Sequence, residues 1–248
     1  MDRLLVTWAA TDPDALAGRL RTLGFAIAGR DRLVFPSGEV RLVRADKRHA
    51  PDRLLEPRWE PAANRAASGA TSGVTSGATS GATSRAVSGP VHPNGVGDLA
   101  ALGWATVDAD RATAAIRSDA DFSFTTLPDD EHLGARVRGS LDQRPATLVL
   151  EPATEGRLAA SLVRGGEGPA ALYLLAGAGG LERLAAAGWA AREVAVGAGV
   201  AAGAAAIRPG PLGPALLLPG GAAWGPHLLV VAAAPTAPEG RTAGTITP

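Results

Sequence analysis

Apolar and polar positions in this chain switch between two periods, and the switches come in the same order more than once. Residues 4–10 (LLVTWAA) form a short apolar run of strand type. Ala15, Leu16, Leu20 and Leu23 then recur at helical spacing, with Thr11 or Asp12 able to cap the helix and Pro13 in its first turn. Gly24 breaks the helix before Phe25. Residues 25–28, 32–35 and 39–44 read as short strands, with Pro36-Ser37-Gly38 as a turn between the last two. The order is β-α-β-β-β. It recurs over residues 102–151, as a strand at 102–107, a helix at 108–116 and strands at 122–126, 134–141 and 146–151. It recurs again after residue 170, as a strand at 170–175, a helix at 180–187, weaker strands at 189–196, 204–208 and 212–218, and a closing strand at 227–232. Segments 4–30 and 170–193 share one further detail: each helix ends in a small-residue turn before an aromatic, Leu23-Gly24-Phe25 and Ala187-Gly188-Trp189. A repeated supersecondary unit constrains the fold more than any single motif does.

Between the first unit and the second, residues 66–90 repeat Ser-Gly-Ala-Thr with almost no apolar bulk. Such a segment cannot offset the entropy of ordering and is expected to be a linker. Its flanks, 49–65 and 91–97, are Pro-rich and expected to be irregular. The organisation expected is therefore an N-terminal module at 1–46, flanks and linker at 47–97, paired modules within 98–233 (98–152 and 168–233), and a disordered tail at 234–248.

Composition narrows the chemistry. The 24 basic and 24 acidic residues of the 248 balance and are interspersed, so no basic stripe points to nucleic acid. Without cysteine there are no disulfides, thiol nucleophiles or cysteine-based zinc sites. The longest weakly apolar run, 194–207, is Gly-interrupted and shorter than the ~20 residues that span a bilayer. No signal-like stretch precedes the first strand, so the expected compartment is the cytoplasm, with no membrane partner. The glycine-rich stretches at 177–180 and 197–203 lack the strand–GxGxxG–helix context of a dinucleotide site.

Three stretches carry a resemblance. Asp2-Arg3-Leu4-Leu5-Val6 resembles the opening strand of glyoxalase-like proteins of the vicinal oxygen chelate superfamily. Residues 102–108 (LGWATVD) are similar to the opening of a second module, and residues 148–175, with their LEP strand end, short helix and GEG, to the connection between modules in epimerase-like members. The resemblance implies an α+β fold of repeated βαβββ modules, whose curved mixed sheets form a cup. It also implies where a divalent metal would be held, on the first and last strands of each module. Those positions fall on Arg3 and Arg41, on Gly103 and Leu148, and on Ala171 and about Val230. None is a metal ligand: four are aliphatic residues or glycine, and arginine is a permanent cation. The resemblance thus speaks for the fold and against the usual metal, and no cofactor is expected.

The candidate site residues each have two readings. Arg3 and Arg41 could face the cup as a cationic pair holding a carboxylate or phosphate, or lie on a solvated face, Arg41 paired with Glu39 or Asp2. Glu151 could be a general base at the cup rim, or an acid leading a helix over 154–163. Trp104, Trp189 and Trp224 are core or cup-lining aromatics, Trp104 being the candidate ligand contact. His49 and His92 flank the linker and are expected to be exposed, and the Asp129-Asp130-Glu131-His132 run to be solvated. A metal site of His132, Glu151 and His227 requires all three to converge, without support from local spacing.

Three functions follow. The first is a metal-free protein binding a small anionic or aromatic molecule. The second is an enzyme of the same superfamily (isomerase, lyase or dioxygenase) with a displaced site. The third is a non-catalytic assembly protein. Fold alone chooses none of them. Three modules are odd in number for a fold built from pairs, so the first is expected to dock on the paired modules or to pair with its copy in a homodimer. Because residues 66–90 carry no core, deleting them should leave the thermal midpoint unchanged. A large loss in a melting experiment would make the segment structural.

Overall fold

The computed structural model describes residues 3–46, 52–60, 92–119, 122–153, 155–187, 207–218 and 226–232. The first sheet is built from strand β1 (Arg3–Ala10), helix α1 (Pro13–Thr22), β2 (Arg32–Val34) and β3 (Gly38–Arg44). Asp12 caps α1, accepting from the backbone N–H groups of Asp14 and Ala15, both at 3.1 Å. Pro13 begins the helix, where its missing N–H costs nothing. The helix buries Leu16, Ala17 and Leu20. Ala15, expected on that face, is exposed, and Ala17 takes its place. β3 returns parallel to β1, pairing Leu4 with Gly38 and Thr7 with Arg41, and β2 pairs antiparallel with β3. Residues 25–28 contribute only an isolated bridge, Ala28 to Arg32.

The second sheet has seven strands. Its first half is β6 (Val96–Ala105), helix α2 (Ala109–Asp119), β7 (Thr125–Asp130), β8 (Ala135–Ser140) and β9 (Ala146–Pro152). Helix α3 (Arg157–Gly165) leads to β10 (Gly168–Ala176), helix α4 (Gly180–Ala186), β11 (Ala215–Leu218) and β12 (His227–Ala232). The strand order is β11-β12-β10-β6-β9-β8-β7. Within each half the opening strand lies parallel to the last, β6 beside β9 and β10 beside β12, as β1 lies beside β3. The halves join where β6 and β10 run antiparallel. The first half is a complete βαβββ unit and the second shows βαββ among the described residues, in a mixed α+β fold. The expected strand at 189–196 lies outside the described residues, and of 204–208 only the bridge from Arg208 to Ala215 is described.

The two sheets stack on one apolar layer. Leu4, Val6, Trp8, Val40 and Leu42 of the first sheet and Leu102, Leu172, Leu174, Leu228 and Val230 of the second belong to a single buried cluster with α1 and α4. Polar contacts from three residues, Asp98, Asn94 and His92, fix the stack. Asp98, 8% exposed, takes the Ser37 N–H at 3.0 Å and the Ser37 hydroxyl at 2.6 Å. Asn94 gives its side-chain N–H to Leu23 O at 2.9 Å and takes the Val96 N–H at 3.0 Å. His92, expected to be exposed, is 4% exposed. Its Nδ1 accepts the Ala26 N–H at 3.0 Å, and its ring meets Phe25 and Phe35 edge-on. With Nδ1 accepting, the neutral ring carries its proton on Nε2.

The odd module is completed from its own chain. Strands β4 (Arg53–Leu54) and β5 (Arg58–Glu60), in a stretch expected to be irregular, run antiparallel along the edge of β1. In the second sheet the corresponding edge of β6 is taken by β10. Asp52, at φ 56°, turns the chain into β4, and its carboxylate accepts from the Thr11 N–H and hydroxyl at 3.4 and 3.3 Å. The N-terminal module therefore docks back to back on the second sheet, with the edge of β1 already paired. The opening strand of the second unit also starts earlier than expected, at Val96 instead of residue 102.

Burial holds His92 below its ordinary pKa of 6.5. The unfolded chain then takes up the proton first, so this contribution is present above pH 6.5, begins to be lost below it and goes on falling until the pH passes the lower folded value. Glutamine can still accept from Ala26 but does not titrate. Between about pH 7.5 and pH 5.5 the thermal midpoint of the wild type should therefore fall more steeply than that of His92→Gln. Parallel slopes would show that His92 does not couple the stack to pH.

Candidate functional site

Strand alternation sorts the inferred ligand positions onto two faces. In the second sheet Gly103 lies beside Leu148 on β9 and Ala171 on β10. Leu148 and Ala171 belong to a second buried cluster with Leu150, Tyr173, Leu229 and Val231, which also takes in Leu133 of the β7–β8 turn and Leu158 of α3. That interior is closed at the ligand position itself. A Cβ on Gly103 would stand 2.7 Å from Leu150 Cδ1, 3.1 Å from Ala171 Cβ and 3.2 Å from Tyr173 Cε2. The third module's last-strand position needs correcting. The residue opposite Ala171 is His227, while Val230 faces the layer between the sheets. One histidine among aliphatic side chains does not make a metal centre. Among the described residues no three His, Asp or Glu side chains group as metal ligands.

The expected alternative site does not assemble. His227 is 4% exposed, and its Nε2 lies 2.8 Å from the Ser161 hydroxyl on α3. Burial, helped by the positive charge of Arg157, lowers its pKa to about 4, so it is neutral near pH 7. His132 points its Nε2 at Ala215 O, 2.9 Å away. Glu151 follows Leu150 on β9 and so faces away from the interior that holds His227. It pairs across the strands with Arg136 at 3.5 Å. Nor does Glu151 lead the helix, because α3 starts later than expected, behind the N-cap Gly156. Trp104, next to Gly103, points to the opposite face beside Val149 and does not line the interior. Trp189, Trp224 and His49 lie outside the described residues.

The acidic run at 129–131 was expected to be solvated, yet Asp130 is 1% exposed. It accepts the Leu133 N–H at 2.9 Å and the Tyr173 hydroxyl at 2.7 Å. Burial pushes its carboxyl above the ordinary carboxylate range, while the bond from Tyr173 pulls the other way. The Tyr173 hydroxyl is raised well above its own ordinary value, first by burial and then by the Asp130 charge.

The first sheet is the opposite case. Leu4, Val6 and Trp8 face the shared layer, so Leu5 and Thr7 face outward, with Glu39 and Arg41 beside them on β3. A cleft of about 960 Å³ lies on this face. Leu5, Thr7 and Arg41 line it from the sheet, and Arg53, Leu55 and Arg58 from the β4–β5 segment. Leu55 is tied to the sheet by its N–H on Thr7 O at 2.8 Å. Arg3 and Arg41 are both on this face but are not a clamp. The residue opposite Arg41 is Thr7, so Arg3 lies four positions, or roughly 13 Å, along β1. Each also has its own carboxylate: Arg3 meets Glu39 at 3.2 Å, and the 64% exposed Arg41 meets Asp31 at 3.4 Å. Arg53 and Arg58 were missed in the sequence. The available signal was the alternation in Arg53-Leu54 and Arg58-Trp59-Glu60 on either side of Pro57.

No protein-family model matches this chain, and no curated protein matches it. Similar solved structures include methylmalonyl-CoA epimerase from Mycobacterium tuberculosis, at 19% identity over 57% of this chain and 91% of that one, with a TM-score of 0.43. A single-residue variant of the Streptomyces coelicolor methylmalonyl-CoA epimerase, in complex with 2-nitronate-propionyl-CoA, is 18% identical over 55% of this chain and 96% of its own, with a TM-score of 0.41. A xylose isomerase-like TIM barrel/4-hydroxyphenylpyruvate dioxygenase fusion protein is 16% identical over 75% of this chain and 38% of its own, at 0.42. Likenesses at this level assign no chemistry here. The second sheet is mixed, with the opening strand of each half parallel to its last and the two halves joined antiparallel. Among the described residues no helix is long and apolar enough to cross a membrane.

Tyr173→Phe leaves the buried Asp130 carboxylate short of one donor. It should cost about 1–3 kcal/mol in denaturant unfolding, with the slope unchanged. An unchanged midpoint would show that the Asp130–Tyr173 bond does not hold the β7–β8 turn to β10.

Proposed function

We propose that this is a metal-free small-molecule-binding protein of the glyoxalase-like fold, with an anionic ligand on the outward face of its N-terminal module. One observation carries the reading. The cup interior of the paired modules is packed with leucine and tyrosine, whereas the equivalent face of the N-terminal module is open and carries arginines around an apolar patch. Guanidinium groups bind carboxylates and phosphates through paired hydrogen bonds, and Leu5 and Leu55 offer area to an aliphatic or aromatic body. The inferred metal positions supply no set of donors, so nothing in the proposal runs through a metal. The convergence needed for a displaced catalytic site is also missing among Glu151, His132 and His227.

A ligand that binds only the folded chain raises its melting temperature. Sulfate, citrate and benzoate, titrated at constant ionic strength, should give at least one saturable rise in the wild type. That rise should be weakened in Arg41→Leu. Arg41 is exposed and its ion pair with Asp31 is a surface one, so the variant itself should melt close to the wild type. A rise that is identical in Arg41→Leu would place the anion elsewhere. No rise with any of them would favour an assembly role for the modules.

A further inference from the structure

The outward face holds more than one cation, and the strand registers fix their spacing. Arg58 lies opposite Leu5 on β1, Arg53 opposite Ala9, and Arg41 opposite Thr7 on the other flank of β1. Partners across a strand pair share a face, so all three arginines leave the sheet on the side of Leu5 and Thr7, and the Arg53 guanidinium reaches on to Gly168 at the start of β10. The geometry is a triangle. Arg58 and Arg53 are separated by four positions of β1, roughly 13 Å, and Arg41 lies across β1 at about two strand spacings, near 10 Å. Thr7 lies within this triangle, Leu55 on its Arg53–Arg58 side and Leu5 beside Arg58, all three on the cleft lining.

The acids of the cleft do not cancel this arrangement. Glu39 is held by Arg3 at 3.2 Å and is neutralised in place. Asp31 meets Arg41 through Nε at 3.4 Å, which leaves the terminal nitrogens of that guanidinium to a ligand. Glu56 is exposed and belongs to the wall that carries Arg53 and Arg58. A single anionic group satisfies one corner only. Two corners separated by apolar side chains match a molecule with an anionic group at each end and a hydrocarbon middle.

Resting on the binding reading above, we propose that the cleft selects an aliphatic dianion, an α,ω-dicarboxylate of medium length, with one carboxylate on Arg41 and the other on Arg58. The middle of the chain crosses β1 over Leu5 and the methyl group of Thr7. Arg53 is as far from Arg41 as Arg58 is, but its guanidinium is turned toward Gly168 of β10, which leaves the exposed Arg58 as the second corner. A second charge-assisted contact is worth about 1.5–3 kcal/mol, which is a factor of roughly 10 to 100 in affinity.

Isothermal titration of the full chain at constant ionic strength tests this with two monoanions, butyrate and hexanoate, and three dianions, succinate, adipate and suberate. Adipate or suberate should bind at least about tenfold more tightly than hexanoate, and succinate should not, being too short to reach both corners. Arg58→Leu should remove the dianion preference, bringing the best dianion to within about twofold of hexanoate measured on the same variant. Arg58 is exposed on an edge strand, so a matching thermal midpoint will show that the variant folds. Equal binding of adipate and hexanoate overturns the dianion inference and leaves the anion-binding reading intact. A dianion preference that survives Arg58→Leu unchanged overturns the assignment of the second corner. No binding by any of the five acids overturns the dianion inference, and if sulfate, citrate and benzoate also fail, the binding reading goes with it.

Discussion

Alternate residues of two sheets meet in one apolar layer, Leu4, Val6 and Trp8 from one side and Leu172, Leu174 and Val230 from the other. A strand has only two faces, so committing one set of side chains to this layer commits the next set to the opposite side. That is why Leu5, Thr7, Glu39 and Arg41 point outward together, and why Gly103, Leu148, Ala171 and Tyr173 share an interior. Both candidate binding faces of the molecule follow from the same stacking.

The two faces have opposite fates because of the side chains placed on them. In the paired modules the interior received Leu148, Leu150 and Leu158, each completely buried. A buried leucine contributes about 1.5–3 kcal/mol, so this interior serves the stability of the fold. Gly103 shows how tight the packing is, since even a methyl group there would collide with Leu150. In the N-terminal module the same face received arginines and remained open. Strands β4 and β5 explain how a single module remains intact, because they cover the edge that its missing sister would have paired.

Polar groups inside the structure mark where separate segments are tied together. Asp130 with Tyr173 joins the β7–β8 turn to β10, His227 with Ser161 joins β12 to α3, and His92 joins the start of β6 to the turn after α1. Each would be costly to leave unpaired in an apolar setting. Their partners lie 43, 66 and 66 positions apart in sequence, so they are long-range ties, distinct from local caps such as Asp12.

The sequence by itself determined the repeated order of elements, the cap at Asp12, the break at Gly24 and the absence of donors at Gly103, Leu148 and Ala171. These depend on local periodicity and on the chemistry of single residues, which a chain carries before it folds. Only the tertiary structure decided that His92 and Asp130 are buried, that Trp104 and Glu151 turn away from the interior, and that residues 53–60 form strands. It also placed Arg53 and Arg58 across β1 from Arg41, on the lining of one cleft. Burial and convergence depend on partners far along the chain. Residues with polar or proline-rich neighbours look exposed until another sheet closes over them, and an arginine becomes part of a site only when strand pairing fixes which face it shares.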